Sequence, residues 1–91
     1  MKTIDIKQTL ELACTLVQLN TEFSNRNRTC LIEWSEHEDE EDCHVLKFTF
    51  TLSQSSQYTD TILIWDNEDF SEVLEGVEKV RRKAMYLLTN R

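Results

Sequence analysis

From His44 to Leu52 the chain alternates without a break, His44, Leu46, Phe48, Phe50 and Leu52 interleaving with Val45, Lys47, Thr49 and Thr51. An extended strand, whose successive side chains point to opposite faces, gathers the apolar set of such a run on one side. Threonine on the other side suits a pleated, partly solvated surface. A lone strand is not stable, so its neighbours must pair with it. Before it, Cys30, Ile32 and Trp34 alternate with Leu31, Glu33 and Ser35; after it, Tyr58–Trp65 is rich in Thr, Ile and aromatic residues. The links between these segments are too short for crossover helices, which predicts an antiparallel meander. In the third segment both Ile62 with Ile64 and Leu63 with Trp65 are apolar. The pattern therefore leaves its core face open and points to a central strand or one covered by a partner.

Outside this region the period changes. Ile6, Leu10, Ala13 and Val17 recur at helical spacing and Leu12, Leu16 and Leu19 widen the stripe, predicting an amphipathic helix over residues 5–19. Asp5 with Gln8 resembles a capping box and Asn20 a stop, while the polar stretch Thr21–Arg28, with Arg26 and Arg28, reads as a loop. At the other end Asp66, Asn67 and Asp69 offer caps before a seam of Phe70, Val73, Val77, Val80, Ala84 and Leu87. Acidic Glu72, Glu75 and Glu78 precede basic Lys79, Arg81, Arg82 and Lys83 along that helix, a polarity that complements the macrodipole. Gly76 inside it weakens the helix by about 1 kcal/mol relative to alanine, which points to a close approach of another element.

The fold expected for residues 1–91 is one α+β domain: a two-layer αβββα arrangement, its N- and C-terminal helices packed on one face of the three-stranded meander. That order resembles the double-stranded-RNA-binding domains, which grip phosphates with lysines at the start of the last helix. Here Asp66, Glu68 and Asp69 stand at that position, so direct nucleic-acid binding through that surface is not expected.

At 91 residues a chain buries only about two-thirds of its unfolded surface, enough for one modest core. An elaborate enzyme does not fit. Nothing pairs a Ser or Cys with His37 or His44, and Gly76 alone cannot build a phosphate-cradling loop. His37, Cys43 and His44 flank a run of carboxylates without the spacing of a metal site, so no catalytic residue, cofactor or metal is expected. Cys14, Cys30 and Cys43 are an odd number with no CxxC pair, which fits free thiols in a reducing cytoplasm. No signal peptide or membrane-spanning run is apparent, and no membrane partner is expected.

Function is concentrated in one segment. Glu33, Glu36, Glu38, Asp39, Glu40, Glu41 and Asp42 place seven carboxylates between the first two strands, equal to the whole net charge of −7. Their mutual repulsion opposes folding. Such a cluster suits an anionic surface that takes the place of phosphates in the groove of a basic nucleic-acid-binding protein. In length and charge the chain is similar to small acidic inhibitors of nucleic-acid enzymes, such as phage anti-restriction and anti-CRISPR proteins, a likeness of composition. The expected function is thus a non-enzymatic protein-binding module, most simply an inhibitor that mimics nucleic acid. The alternative is a small structural or regulatory subunit, a homodimer joined through its last helix. There Leu74, Met85 and Leu88 would be left at the surface and Arg81 and Arg82 would meet Glu72, Glu75 or Glu78 of a second copy.

Overall fold

A computed structural model of the chain describes residues 6–66 and 68–90, with the side chain of Ile6 outside the description. Helix α1 (Ile6–Ser24), strands β1 (Cys30–Glu36), β2 (Cys43–Ser53) and β3 (Ser56–Trp65), and helix α2 (Phe70–Thr89) follow in order. This is the αβββα α+β arrangement that the changes of period require. The sheet runs β1-β2-β3, both pairs antiparallel. Both helices lie over the same face, α1 mainly on β1 and α2 mainly on β3.

Register decides what the pattern of β3 left open. His44, Leu46 and Phe50 stand opposite Ile64, Ile62 and Tyr58, which puts these β3 residues under the helices. Ile64 is 2% exposed, while Leu63 and Trp65 on the outer face remain 44% and 38% exposed. β3 is an edge strand, not a central one. Its second apolar face is bare because both helices occupy the first.

Helix α1 departs from expectation in length and in facing. It runs to Ser24, and Leu12, Leu19 and Phe23 are buried while Leu10 and Val17, from the stripe that looked dominant, are 62% and 63% exposed. Leu12, Leu16, Leu19 and Phe23 form the longer helical row, and Phe23 reaches zero exposure against the Phe50 ring, 4.8 Å between centroids. Burial of that extra aromatic ring outweighs the competing stripe and carries the helix past Asn20. Asn20 instead donates from Nδ2 to the Cys30 carbonyl at 2.8 Å, tying the helix to β1. The helix stops in a Schellman motif: Arg28 N–H donates to Phe23 O and Asn27 N–H to Ser24 O, with Asn27 at φ 58°. The Asp5 cap and the Asn67 cap lie outside the described residues.

Helix α2 buries Val73, Val77, Val80 and Ala84 as its seam predicts, with Phe70 and Leu87 half-buried beside them. Asp69 is its N-cap residue, and Glu72 supplies an acid to the first turn. The last turn holds no base, so the basic residues lie too far from the C-terminus to answer the dipole, whose effect fades within one turn. They pair sideways instead. Arg81 reaches Glu78 at 3.1 Å and Glu22 of α1 at 3.5 Å, and Arg82 reaches Glu78 at 3.3 Å. The neighbour of Gly76 is Ile62 of β3, which an added Cβ would meet at 3.6 Å, an ordinary contact.

Candidate protein-interaction surface

The β1–β2 connection carries the acidic segment, and backbone bonds hold its shape. Glu36 pairs with His44 as the last rung of the ladder. His37 N–H then donates to the Cys43 carbonyl at 3.1 Å, and Asp39 N–H to His37 Nδ1 at 3.1 Å. The link to the rest of the molecule is Asp66 N–H, which donates to the Asp42 carbonyl at 2.9 Å. Through that bond the hairpin is fixed to the β3–α2 turn. Glu68 caps the turn, accepting through Oε1 from the Trp65 N–H at 3.2 Å.

Two acidic stretches far apart in sequence therefore converge at one end of the sheet. Glu36, Glu38, Asp39, Glu40, Glu41 and Asp42 are all exposed, and Asp66, Glu68 and Asp69 face the same end. The Cys43 thiol registers the convergence. Burial pushes it up, and Glu40, Glu68 and Asp66 add repulsion, against a hydrogen bond from the Ile64 backbone that lowers it. Among the described residues, none of the hairpin carboxylates has an ion-pair partner. Glu33 belongs elsewhere. It is in the body of β1, opposite Lys47 in the ladder and on the outer face, apart from the other six.

Behind the hairpin, on the helix side of the sheet, lies an open cavity of about 390 Å³. Leu12 and Leu16 of α1 form one wall, Trp34, His44 and Ile64 the floor, and Trp65 with Asp66 the end. The His44 ring stacks on Trp34 at 5.1 Å, and its Nε2 is 3.9 Å from Asp66 Oδ1. Its Nδ1 is buried with no hydrogen-bond partner among the described residues. Trp34 stays 49% exposed. Sequence reading singled out neither tryptophan, since each sits at an ordinary strand position and the cavity exists only once register and α1 facing are known.

The residues expected at a dimer interface sit differently from that expectation. Leu74, Met85 and Leu88 are half-buried against the core, and Arg81 and Arg82 already engage acids of their own chain. Among the described residues, the exposed large apolar side chains are instead Leu10 and Val17 of α1, Tyr86 of α2, and Leu31, Trp34, Leu63 and Trp65 of the sheet. In the α1–β1 turn, Arg28 donates from Nε to the Leu52 carbonyl at 3.0 Å, a structural bond.

All three cysteines are free, Cys30 and Cys43 buried and Cys14 exposed. Burial pushes the Cys30 thiol up to about 11, which leaves it protonated and unreactive at neutral pH. Among the described residues no group of three or more His, Cys, Asp or Glu side chains is placed to hold a metal ion, and no helix is long and apolar enough to cross a membrane. No family model, curated protein or solved structure matches the chain.

Proposed function

We propose that this chain is a small non-enzymatic protein-binding module of the cytoplasm, whose acidic hairpin engages a basic protein surface as a mimic of nucleic acid. In this reading it is an inhibitor of the phage anti-restriction or anti-CRISPR type, blocking the groove of a nucleic-acid-binding protein. One observation carries it: the six hairpin carboxylates, exposed and without ion-pair partners among the described residues, converge with the acids of the β3–α2 turn on one sheet end held by backbone hydrogen bonds. An anionic array held by backbone hydrogen bonds has little ordering entropy left to lose when a basic groove closes on it. A purely solubilising tail would gain nothing from that rigidity.

The test uses a variant with Glu38, Asp39, Glu40 and Glu41 all changed to Ser, screened against a panel of nucleic-acid-binding proteins. Wild type should bind at least one of them, lose that binding steeply as salt rises from about 50 to about 200 mM, and be displaced by the nucleic acid that protein normally holds. The variant should keep its fold and bind at least tenfold more weakly, the loss falling mainly on the association rate. Binding that nucleic acid does not compete with, or that the folded variant retains, rejects mimicry.

A further inference from the structure

The cavity behind the hairpin has a composition that its acidic surroundings make selective. The Trp34 indole borders it, Trp65 lines its end, and Leu12, Leu16 and Ile64 supply aliphatic wall. Among the described lining residues the one carboxylate belongs to Asp66, whose side chain is 16% exposed and whose backbone is hydrogen-bonded to the hairpin. An anionic ligand is repelled by Asp66 and by the hairpin acids to which its backbone is bonded. A neutral apolar ligand would use the walls but leave the Asp66 carboxylate without a donor. A hydrated ammonium would meet the carboxylate but leave the apolar wall unused. One side chain uses every part: arginine has an aliphatic stem for the leucine wall, a weakly hydrated planar cation for the Trp34 indole face, and N–H donors for a carboxylate. We infer that the Trp34–Trp65–Asp66 cavity is a receptor for an arginine side chain of the basic partner, seated immediately behind the acidic hairpin. The inference rests on the proposed function and names the anchor through which the partner is held; buried arginine is a common anchor of this kind at protein interfaces.

Size agrees with the assignment. The cavity volume of about 390 Å³ is at the small end of ligand sites, which begin at about 300 Å³. It takes one long side chain with some water. Trp34 is positioned for the contact because one face of its ring is held by His44 at 5.1 Å while the residue remains 49% exposed. The charges of the hairpin draw the partner in, and the cavity chooses arginine over lysine.

Hexa-arginine and hexa-lysine peptides of equal charge serve as probes, with binding followed by tryptophan fluorescence and by NMR of the indole N–H and backbone amide signals. Hexa-arginine should bind about tenfold tighter, shifting the Trp34 indole signal, and the preference should vanish in Trp34→Ala and in Asp66→Asn while the weaker, charge-driven binding of both peptides persists. Thermal unfolding of each variant checks that it is folded, and the isosteric Asp66→Asn keeps the test valid if Trp34→Ala is not. Equal affinities, shifts confined to residues 36–42, or an arginine preference that survives both substitutions would overturn the receptor and leave the hairpin reading standing. Undiminished binding of both peptides by the Glu38, Asp39, Glu40, Glu41 serine variant would remove the hairpin reading beneath it.

Discussion

Two aromatic groups occupy opposite ends of the same sheet face, and they are treated in opposite ways. At the end near the β2–β3 turn, Phe23 and Phe50 meet at 4.8 Å, Phe48 and Phe50 at 6.0 Å, and Phe50 and Tyr58 at 6.0 Å. All three phenylalanines have zero exposure. Polar groups there are satisfied, with Tyr58 O–H donating to Asp60 Oδ2 at 2.6 Å and Arg28 to the Leu52 carbonyl. Near the hairpin, Trp34 stacks on a histidine whose Nδ1 has no partner among the described residues, and a cavity opens between helix and sheet. The lesson is a division of labour along one sheet. The closed end supplies the apolar burial that holds the domain together, and that surplus lets the open end keep clustered acids and an unsatisfied ring.

Cutting into each end should expose the contrast most strongly. Phe23→Ala removes a fully buried ring that joins α1 to β2, and should cost about 3–5 kcal/mol in chemical denaturation. In a domain of this size such a loss approaches the whole stability. Trp34→Ala, for all its bulk, should cost far less, because half its surface is already in water. A Trp34 penalty equal to that of Phe23 would mean the open end is as structural as the closed one.

The second prediction reverses the sign. His44→Phe keeps a ring against Trp34 and removes a buried nitrogen that lacks a partner, a defect costing about 1–3 kcal/mol. The contact from Nε2 to Asp66, at 3.9 Å, is too long to offset much of it. Stability in urea should therefore rise by about 1 kcal/mol. A fall of that size would show that the imidazole holds Asp66 in place, and that the open end is less spare than its geometry implies.

How much of this was readable beforehand follows the same division. β2 was legible because alternation on one strand is unambiguous, and the α2 seam because its apolar residues form one row. α1 was not, since two apolar stripes share the helix, and only the position of Phe50 across the sheet selects the one that ends in Phe23. β3 carried apolar residues on both faces, so its orientation had to come from pairing with β2. At the open end the hairpin acids were plain in the sequence. Their meeting with Asp66, Glu68 and Asp69 was not, because it depends on the bond between Asp66 N–H and the Asp42 carbonyl, a contact across the sheet end that no local pattern encodes. Trp65 was hidden for a related reason: its register assigns it to the outer face, yet it borders the cavity on the inner one.

The third prediction asks whether the well-packed layer has slack. Gly76 lies in α2 over Ile62, and an added methyl would sit at 3.6 Å and 3.7 Å from its carbons. Contact at that distance is favourable, and alanine also removes the backbone freedom of glycine. Gly76→Ala should raise stability by about 0.5–1 kcal/mol, measured by thermal and urea unfolding. Destabilisation would mean that α2 and β3 are set closer than van der Waals distance allows, and that the closed layer extends further toward the hairpin than its aromatic cluster.

The smallest effect separates the two kinds of acid. Hydrogen bonding from Arg81, with further help from Arg82 and against some opposing burial, holds the Glu78 carboxyl below its ordinary range. The folded state thus binds that proton less readily than the unfolded state, so the pair's stabilisation is present above the ordinary glutamate value of about 4.3 and fades as pH falls below it. Glu78 is 40% exposed along its side chain, so solvent screening holds the contribution to about 0–1 kcal/mol. Glu78→Gln should be slightly less stable than wild type at pH 7, and the two unfolding midpoints should converge under acid. Serine at Glu38, Asp39, Glu40 and Glu41 should do the reverse, leaving neutral-pH stability unchanged or slightly higher, because those carboxylates have only one another's repulsion to lose. If Glu78→Gln is silent at every pH, Glu22 at 3.5 Å suffices to hold Arg81. The intrahelical pair would then count for no more than the hairpin acids, and the contrast between paired and unpaired carboxylates would rest on geometry alone.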